Sequence, residues 1–296
     1  MRNLPEVSVI MSVHNGERYL HSAIASILNQ SFRDFEFIIV DDASTDSTSK
    51  IINQYADNRI RVICNKTNIG LTRSLNKALK TAEGKYIARM DCDDISFPRR
   101  LEKQVKFLNA NEDIYLISCG YREFGKRFGR NQIRMREEEI KAQYLFGSVL
   151  PHSGFMFRME LVNKYHIFYN DKMKYAQDYD FQVRVSSRFH IACLPEILMY
   201  YRISEEQISV RKSSEQRAYA NMVRYYVFRE YNICCNKRQI EILSKVYCGE
   251  KLITLIEWAS FAKLFLSVYR VLYKEESIES QYIISKMFEY VKRLKL

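Results

Sequence analysis

Apolar strand patterns alternate with helical patterns over the first ninety residues, and this alternation limits the fold more than any other feature. The runs VSVIMSV (7–13) and FEFIIVDD (35–42) are continuously apolar and rich in β-branched residues, which is typical of strands buried in a parallel sheet. RIRVICN (59–65) and YIARMDCDD (86–94) predict two more strands, and helical spacing separates the four. We therefore predict an α/β fold with a mostly parallel mixed sheet flanked by helices.

The pattern is less regular after residue 110. YLISCG (115–120) and SGFMFR (153–158) predict strands, the basic stretch 121–136 predicts a loop or hairpin, and YDFQVRVSSRF (179–189) predicts a helix. From residue 213 onward the pattern is helical. We therefore predict a catalytic domain over 1–212 and a helical C-terminal region over 213–296.

Polar and acidic residues follow three of the predicted strands. His14 and Asn15 follow the first, Asp41 and Asp42 end the second, and an acidic stretch from Asp91 to Asp94 follows the fourth. Ligands of open α/β sheets bind at the carboxyl ends of the strands, so these residues predict a binding site there.

The acidic stretch DCDD is a candidate metal site. Asp91 and Asp93 are one residue apart at a strand end, where a turn can direct both carboxylates toward one Mg²⁺ or Mn²⁺ ion. A D-x-D pattern alone also occurs by chance with purely structural roles. The chain has neither the G-x-G-x-x-G nor the G-x-x-x-x-G-K-[ST] phosphate loop, which favours a carboxylate-held metal as the means of neutralising a diphosphate.

Composition narrows the cellular setting. The seven cysteines form no C-x-x-C pair, which is typical of reduced cytosolic thiols and argues against a disulfide framework or a zinc site. The N-terminal sequence does not resemble a signal peptide, and no 18-residue uncharged apolar stretch predicts a membrane span. The net charge of +11 suits nucleic acid, anionic lipid or phosphorylated small molecules, or only a solvated basic face.

Several motifs, taken together in order, resemble the large family-two glycosyltransferases of GT-A fold. They are VSVIMSVHNGERYLHSAIASILNQSFRDFEFIIVDDASTDST, NIGLTRSLNKAL, GKYIARMDCDDISFPRRLEKQ, PHSGFMFR, AQDYDFQVRV and YYRISEEQIS. The resemblance spans roughly residues 6 to 210, and several ordered motifs are more specific than any one of them. It implies an inverting enzyme of bacterial polysaccharide type that uses a nucleotide sugar, most commonly of uridine, and a divalent metal, Mn²⁺ or Mg²⁺.

The resemblance also implies roles for individual residues. Ser12 would lie against the uracil and ribose, and Asp42 would hydrogen-bond the base. Asp178 would be the catalytic base. The other implied donor or metal contacts are Asn15, Asp41, Asp91, Asp93, Asp94 and His152. Of these, Asp91 and Asp93 would bind the metal, and His152 is either near the diphosphate or acceptor or a structural histidine.

Two departures from the family pattern affect these assignments. Leu75 stands where many relatives carry an arginine, so that donor contact is missing or comes from Arg73 or Arg89. Gln177 stands where many carry a glutamate, and a glutamine cannot act as a base. The base role therefore falls to Asp178.

Helix geometry supports Asp178 independently. At 100° per residue Asp178 shares an apolar face with Phe181 and Val185, which should point inward toward the site. Asp180 falls on the face of Arg184 and is expected to be its exposed partner.

The segment LITLIEWASFAKLFLSVYRVLY (252–273) predicts a mostly apolar helix with one polar stripe. It is either buried between neighbouring helices or lies on a membrane surface or partner. A lipid-linked saccharide acceptor and a cytoplasmic location, peripheral on the inner face of the membrane, would suit the second alternative.

Three other functions compete with sugar transfer. A nucleotidyltransferase would carry a glycine- and lysine-rich loop after the first strand, which HNGERYL lacks. A catalytically silent GT-A-like binding subunit stays open because of Gln177. A nucleic-acid binder is disfavoured, because the aromatic residues do not alternate with Lys and Arg in a stripe.

Overall fold

The predicted alternation of strands and helices is present in the computed structural model, which describes residues 4–205, 212–252, 254–273 and 277–293. Within these residues the strands are β1 (Val7–Val13), β2 (Phe35–Asp41), β3 (Ile60–Cys64), β4 (Tyr86–Arg89), β5 (Ile95–Ser96), β6 (Ile114–Gly125), β7 (Gly129–Asn131), β8 (Met156–Arg158) and β9 (His190–Ile203).

The first helices of the described chain lie between these strands. They are α1 (Leu20–Leu28), α2 (Thr48–Asn53), α3 (Leu71–Thr81), α4 (Arg100–Ala110), α5 (Glu137–Gln143), α6 (Glu160–Asn163) and α7 (Gln177–Ser186). The later helices are α8 (Ser213–Glu230), α9 (Lys237–Tyr247), α10 (Leu255–Leu272) and α11 (Ile278–Arg293). A short 3-10 helix covers His152–Gly154.

The described strands form one mixed sheet in the order β3-β2-β1-β4-β8-β6-β9-β5, with β7 paired to β6. The pairs β3–β2, β2–β1 and β1–β4 are parallel. Every residue of β1 and β2 is buried, as expected for strands covered on both faces. The carboxyl ends of β1, β2 and β4 therefore meet at one edge, which is where the predicted site residues begin.

The second half of the sheet agrees with the sequence prediction at one point and differs from it at another. Residues 121–136 contain the predicted hairpin, because Tyr121 pairs with Asn131 between antiparallel β6 and β7. The long strand β9 was not predicted. It runs parallel to β6 with register shifts near Gly120, and such irregular pairing weakens the alternation by which a strand is recognised.

The described residues form two compact units. One comprises Met1–Arg134 with Leu150–Arg211, and the other comprises Met135–Val149 with Lys212–Leu296. Residues 135–149, expected from the sequence to belong to the first region, therefore belong to the second unit. The buried Arg224 of α8 donates to the carbonyl of Phe146, and Tyr282 of α11 donates to Gln143, so this segment is tied to the C-terminal helices.

The helix predicted over 252–273 is buried on one side only. Phe261, Leu264, Val268 and Leu272 of α10 are buried within the second unit. On its other side α10 exposes large apolar side chains, namely Leu255, Ile256 and Leu266, with Tyr273 directly after it. α10 is therefore not buried on all sides between neighbouring helices, and the alternative that it lies on a membrane surface or partner stays open.

Candidate active site at the carboxyl edge of the sheet

Two loops that follow β1 and β2 are tied together by hydrogen bonds. Asn15, at a positive φ of 54°, accepts the backbone N–H of Thr45 on its Oδ1 atom at 2.8 Å. Its own N–H donates to the hydroxyl of Ser44 at 3.0 Å, and the N–H of Gly16 donates to Thr48 at 2.9 Å. Asn15, a predicted donor contact, therefore fixes the shape of this edge.

Asp42 organises the segment that leads into α3. Its Oδ1 atom accepts from Nδ2 of Asn65 at 2.8 Å and from the N–H of Ile69 at 2.9 Å, and its Oδ2 atom accepts from the N–H of Gly70 at 2.8 Å. The side chain is buried. Asp42 is thus held in one orientation by three donors of the chain.

Asp41 and Ser12 lie at the ends of adjacent strands. The carboxylate of Asp41 accepts from the N–H of Ser44 and from the hydroxyl of Ser49. Ser12 is buried one residue before the end of β1, in register with Val40 of β2. Both predicted donor contacts therefore lie at the same edge as Asn15 and Asp42.

The acidic loop, residues 91–94, follows β4 and brings three carboxylates together. Asp91, Asp93 and Asp94 each offer an oxygen within 4.8 Å of the others. Asp94 is buried, whereas Asp91 and Asp93 are half-buried. Three carboxylates at such distances repel one another, so cationic or donor groups must hold the loop together.

Two buried arginines and a serine support the acidic loop from within the sheet. Arg89, which is 1% exposed, forms an ion pair with Asp91, and its guanidinium donates to the hydroxyl of Ser153 at 3.2 Å. The Ser153 oxygen lies 2.5 Å from a carboxylate oxygen of Asp91 and of Asp94. Arg100, also buried, donates to the carbonyls of Arg89 and Ser153. The loop thus rests on a buried positive charge.

Strand β9 supports the acidic loop from another direction. The backbone N–H of Arg202 donates to Oδ1 of Asp94 at 2.8 Å, and its Nε atom donates to the carbonyl of Asp93 at 2.7 Å. Burial raises the pKa of the neighbouring Tyr201 phenol, and the charges of Asp94, Asp91 and Asp93 raise it further. The motif YYRISEEQIS therefore begins beside the acidic loop.

Asp178 and Asp180 lie in the first turn of α7 and have different surroundings. Asp178 is half-buried and close enough to Arg89 and Asp91 for their charges to act on its carboxyl group. Asp180 accepts from Nε of Arg184 at 2.7 Å, as predicted, but it is 8% exposed, so its expected exposure was wrong. Arg184 also donates to the carbonyl of Phe168 at 2.7 Å.

His152 lies near the acidic loop and against aromatic rings. Its Nε2 atom is 2.9 Å from the hydroxyl of Tyr169, and its ring makes edge contacts with Tyr169 and Phe155. Burial lowers the pKa of His152 well below its usual value, and the charge of Arg89 lowers it further. His152 is therefore neutral at physiological pH.

With this geometry established, the comparisons with known proteins identify the family. The family model described as "Glycosyl transferase family 2" matches residues 8–166, more than half of the chain. The chain belongs to glycosyl transferase family 2. This membership makes it a glycosyltransferase and sets aside the nucleotidyltransferase alternative.

Individual relatives of this glycosyltransferase agree with the assignment. An uncharacterized glycosyltransferase of Haemophilus influenzae is 31% identical, over 99% of this chain and 92% of its own length. The putative teichuronic acid biosynthesis glycosyltransferase TuaG of Bacillus subtilis is 43% identical, over 35% of this chain and 42% of its own.

Solved structures confirm the GT-A fold with its C-terminal helices. S. aureus TarS 1-349 in complex with UDP-GlcNAc superposes with a TM-score of 0.65 at 20% identity, over 98% of this chain and 90% of that one. The mannosyltransferase PcManGT from Pyrobaculum calidifontis, in complex with GDP-Man and Mn²⁺, has a TM-score of 0.60 at 14% identity, covering 99% and 84%.

The electrostatics of the glycosyltransferase's acidic loop favour a cation. Burial raises the pKa of Asp93 to about 7, helped by the charge of Asp91, and burial likewise raises the pKa of Asp94 well above its usual value. Burial would also raise the pKa of Asp91, but the paired Arg89 outweighs this and lowers it. Hard carboxylate oxygens at this spacing are the ligands that Mg²⁺ and Mn²⁺ accept, so the residues fit a divalent metal.

The two departures from the family pattern have structural counterparts. Leu75 is fully buried, and the exposed Arg73 has its Nε atom 3.8 Å from a carboxylate oxygen of Asp171. Arg89 instead lies behind the acidic loop with Asp91. Gln177 is buried. Of the two candidate replacements for the missing arginine, Arg89 is the one that touches the acidic loop.

The sequence motifs contained three residues at the site whose roles were not recognised. Ser153 and Arg202 contact the acidic loop from positions 59 to 109 residues away along the chain, and Tyr201 lies close enough for the charges of the loop to raise its pKa. Their motifs, PHSGFMFR and YYRISEEQIS, were the available indication.

None of the helices within the described residues is long and apolar enough to cross a bilayer.

Proposed function

We propose that this glycosyltransferase moves a sugar from a nucleotide-diphosphate donor, a UDP-sugar, onto an acceptor hydroxyl with inversion at the anomeric carbon. One observation carries the proposal. Three carboxylates within 4.8 Å of one another lie at the carboxyl edge of a sheet, and a fourth, Asp178, is close enough for the charge of Asp91 to act on it. This arrangement separates a metal-binding group from a proton-accepting group.

The metal role falls to Asp91 and Asp93. A divalent cation held there supplies the positive charge that stabilises a departing diphosphate. Arg89 and Ser153 orient the carboxylate of Asp91, and Arg202 holds the peptide of Asp93. The protein groups therefore keep the acidic ligands in position before a donor arrives.

Asp178 acts as the general base. Burial raises its pKa, and a carboxylate with a raised pKa is a stronger proton acceptor at neutral pH. Asp178 would take the proton of the acceptor hydroxyl as that oxygen attacks the anomeric carbon from the face opposite the diphosphate. A single displacement of this kind converts an α-linked donor into a β-linked product.

The donor assignment rests on two kinds of support. The complex of TarS contains UDP-GlcNAc, and that of PcManGT contains GDP-Man, so nucleotide sugars bind in related folds. The predicted donor contacts are Ser12, Asn15, Asp41, Asp42, Asp91, Asp94 and His152. Uridine is the family's commonest base, so we expect a UDP-hexose or a UDP-N-acetylhexosamine as the donor. The alternative is a GDP-sugar, which a donor screen would reveal.

A thermal-shift and transfer experiment tests the proposal. UDP should stabilise the protein only with Mn²⁺ or Mg²⁺ present, since the diphosphate and the acidic loop otherwise repel, and Asp93→Ala should abolish that shift. Asp178→Asn should leave UDP binding unchanged and reduce transfer by about a hundred- to ten-thousand-fold.

Asp180→Asn is the matched control, because it makes the same change in the same helical turn. Asp180 is paired with Arg184 and should matter for folding rather than for transfer, which circular dichroism would report. An equal UDP shift in EDTA would refute the metal assignment. A catalytically silent subunit would bind UDP yet show no transfer from any donor to any saccharide acceptor.

We also propose that the acceptor is a saccharide or lipid-linked saccharide of cell-surface polysaccharide or glycolipid synthesis, reached at the cytoplasmic face of the membrane. TuaG is named for teichuronic acid biosynthesis, and all seven thiols of this chain are free, as in a reducing compartment. The exposed face of α10 combines Leu255, Ile256 and Leu266 with the exposed cations Lys263 and Arg270. Such a face suits an anionic bilayer surface.

Vesicle sedimentation tests this membrane contact. The wild-type protein should bind vesicles of phosphatidylglycerol more than those of phosphatidylcholine, and Ile256→Glu with Leu266→Glu should weaken that binding. Val62→Glu, at an exposed apolar position of β3, is the control and should have no effect. Equal sedimentation of all three proteins would exclude α10 as the contact, and a concentration-dependent change of mass in solution would assign the face to a second copy instead.

A further inference from the structure

Arg202 is held in an unusual setting on β9. Its guanidinium carbon lies 3.9 Å from the centre of the Tyr19 ring, which precedes α1, and 4.3 Å from the centre of the Phe124 ring on β6. A guanidinium held by two rings gains cation–π attraction from each and has few ways to move. The side chain is thus fixed independently of the acidic loop.

The same residue contacts two successive positions of the acidic loop. Its backbone N–H binds the Asp94 carboxylate, whereas its side-chain Nε binds the main-chain carbonyl of Asp93. The first contact is made by the backbone, so it survives replacement of the side chain by any residue except proline, which has no N–H. A change of the Arg202 side chain therefore removes the second contact, together with the two ring contacts, and leaves the first in place. The second contact holds the peptide that follows the side chain of Asp93.

We propose that Arg202 is a positioning residue that sets the direction of the Asp93 carboxylate and thereby the metal-dependent binding of the donor diphosphate. The inference rests on the proposed metal role of Asp93. A small divalent cation demands near-ideal ligand geometry, so a peptide free to rotate by a few tens of degrees would lose affinity. Groups that orient metal ligands typically change metal affinity by about ten- to a hundredfold when they are removed.

The contacts that Arg89 and Ser153 make with the acidic loop do not hold the peptide of Asp93 as Arg202 does. Arg89 and Ser153 act on the side chains of Asp91 and Asp94. Among the hydrogen bonds described for the loop, the one from Nε of Arg202 fixes the main chain at Asp93. Loss of Arg202 should therefore affect Asp93 while leaving the Asp91 ion pair in place.

The experiment measures how much Mn²⁺ is needed for UDP to stabilise the full chain. Arg202→Met keeps most of the apolar stem and removes Nε, so the half-saturating Mn²⁺ concentration should rise roughly tenfold or more. Arg122→Met is the matched control, because Arg122 is exposed on β6 with its guanidinium 6.0 Å from the Tyr200 ring, and it should leave the Mn²⁺ requirement unchanged.

Two further variants separate positioning from charge and from folding. Arg202→Lys keeps the charge but has no planar group to lie between the rings, so it should resemble Arg202→Met. Phe124→Leu keeps Arg202 and removes one ring, and it should raise the Mn²⁺ requirement by a smaller factor in the same direction.

The outcomes are distinguishable. A wild-type Mn²⁺ requirement in Arg202→Met would overturn the proposal, and so would a lower urea midpoint with an unchanged requirement, because that result describes a purely structural residue. Wild-type behaviour of Arg202→Lys would show that charge alone matters and would also overturn it. If the wild-type protein itself binds UDP equally in Mn²⁺ and in EDTA, the proposed metal function fails before Arg202 is tested.

Discussion

Replacing Arg89 with methionine tests how the acidic loop is held together. The Arg89 side chain is 1% exposed and forms an ion pair with Asp91, whose own side chain is 30% exposed. Removing one partner of a buried ion pair costs about 3–5 kcal/mol, and because water can still reach Asp91 we expect the lower end, about 3 kcal/mol, in metal-free protein. Methionine fills much of the volume, so the loss measures charge and hydrogen bonding.

The structure predicts how that loss can be recovered. In Arg89→Met/Asp91→Asn neither charge is left without its partner, so more than half of the lost stability should return. Mn²⁺ should also reduce the loss in Arg89→Met, because a bound cation replaces part of the missing positive charge beside Asp93 and Asp94.

Urea unfolding followed by circular dichroism, in EDTA and in Mn²⁺, measures both effects. The control is Arg59→Met, which removes one partner of the ion pair between Arg59 and Asp57, a pair outside the acidic loop. This variant should lose less stability than Arg89→Met, and neither Asp91→Asn nor Mn²⁺ should restore it. The reasoning would be refuted by a double variant no more stable than Arg89→Met, or by a loss below about 0.5 kcal/mol in EDTA, the value typical of a surface substitution.

Two further predictions follow from the same edge of the sheet. The pKa of Asp93 is raised to about 7, so the folded state holds a proton that the unfolded state releases, and metal-free stability should fall as pH rises from about 4 to about 7. Calorimetry in EDTA across that range would show it, Asp93→Asn should flatten the profile, and rising stability would contradict the assignment. Gly70 and Gly249 both have positive φ and open space where a Cβ atom would lie, so an alanine at either position should lower stability by about 1–2 kcal/mol. Only Gly70→Ala should also weaken UDP binding, because the N–H of Gly70 donates to Asp42. Urea unfolding and UDP titration of both variants would check this, and equal UDP binding would contradict it.

The first half of the sheet could be predicted because its strands are recognised from local sequence alone. β1 and β2 are continuously apolar and buried on both faces, and helices with clear spacing separate them. β9 was missed because Pro195 and Glu196 interrupt its apolar pattern and its register with β6 shifts twice near Gly120. The pairing of β9 depends on a strand that lies far away in the sequence, so the residues of β9 alone do not identify it as a strand.

The same division applies to the site. The acidic residues of the loop were predicted because they follow one another in the chain at a strand end. Their supports were not, since Ser153 and Arg202 lie 59 and 108 residues from Asp94 and are ordinary polar residues in sequence. The predicted exposure of Asp180 was wrong for a related reason: helical spacing shows that Asp180 and Arg184 share a face, but not that this face meets distant residues such as Phe168, whose carbonyl accepts from Arg184.

Two opposing electrostatic effects act on the acidic loop: its carboxylates repel one another, and nearby arginines compensate for part of their charge. Together these effects explain why the loop can bind a metal. Burial, together with repulsion among Asp91, Asp93 and Asp94, raises the pKa of two of them, which means that the chain alone does not fully neutralise the loop. Arg89 compensates for one carboxylate, and Arg202 fixes the backbone through the Asp93 carbonyl. Full compensation by arginines would leave no electrostatic reason to bind a cation, whereas no compensation would drive the loop apart. Partial compensation of the carboxylate charge keeps the three aspartates close together. It also leaves Asp93 as the position where an added positive charge would stabilise the loop most.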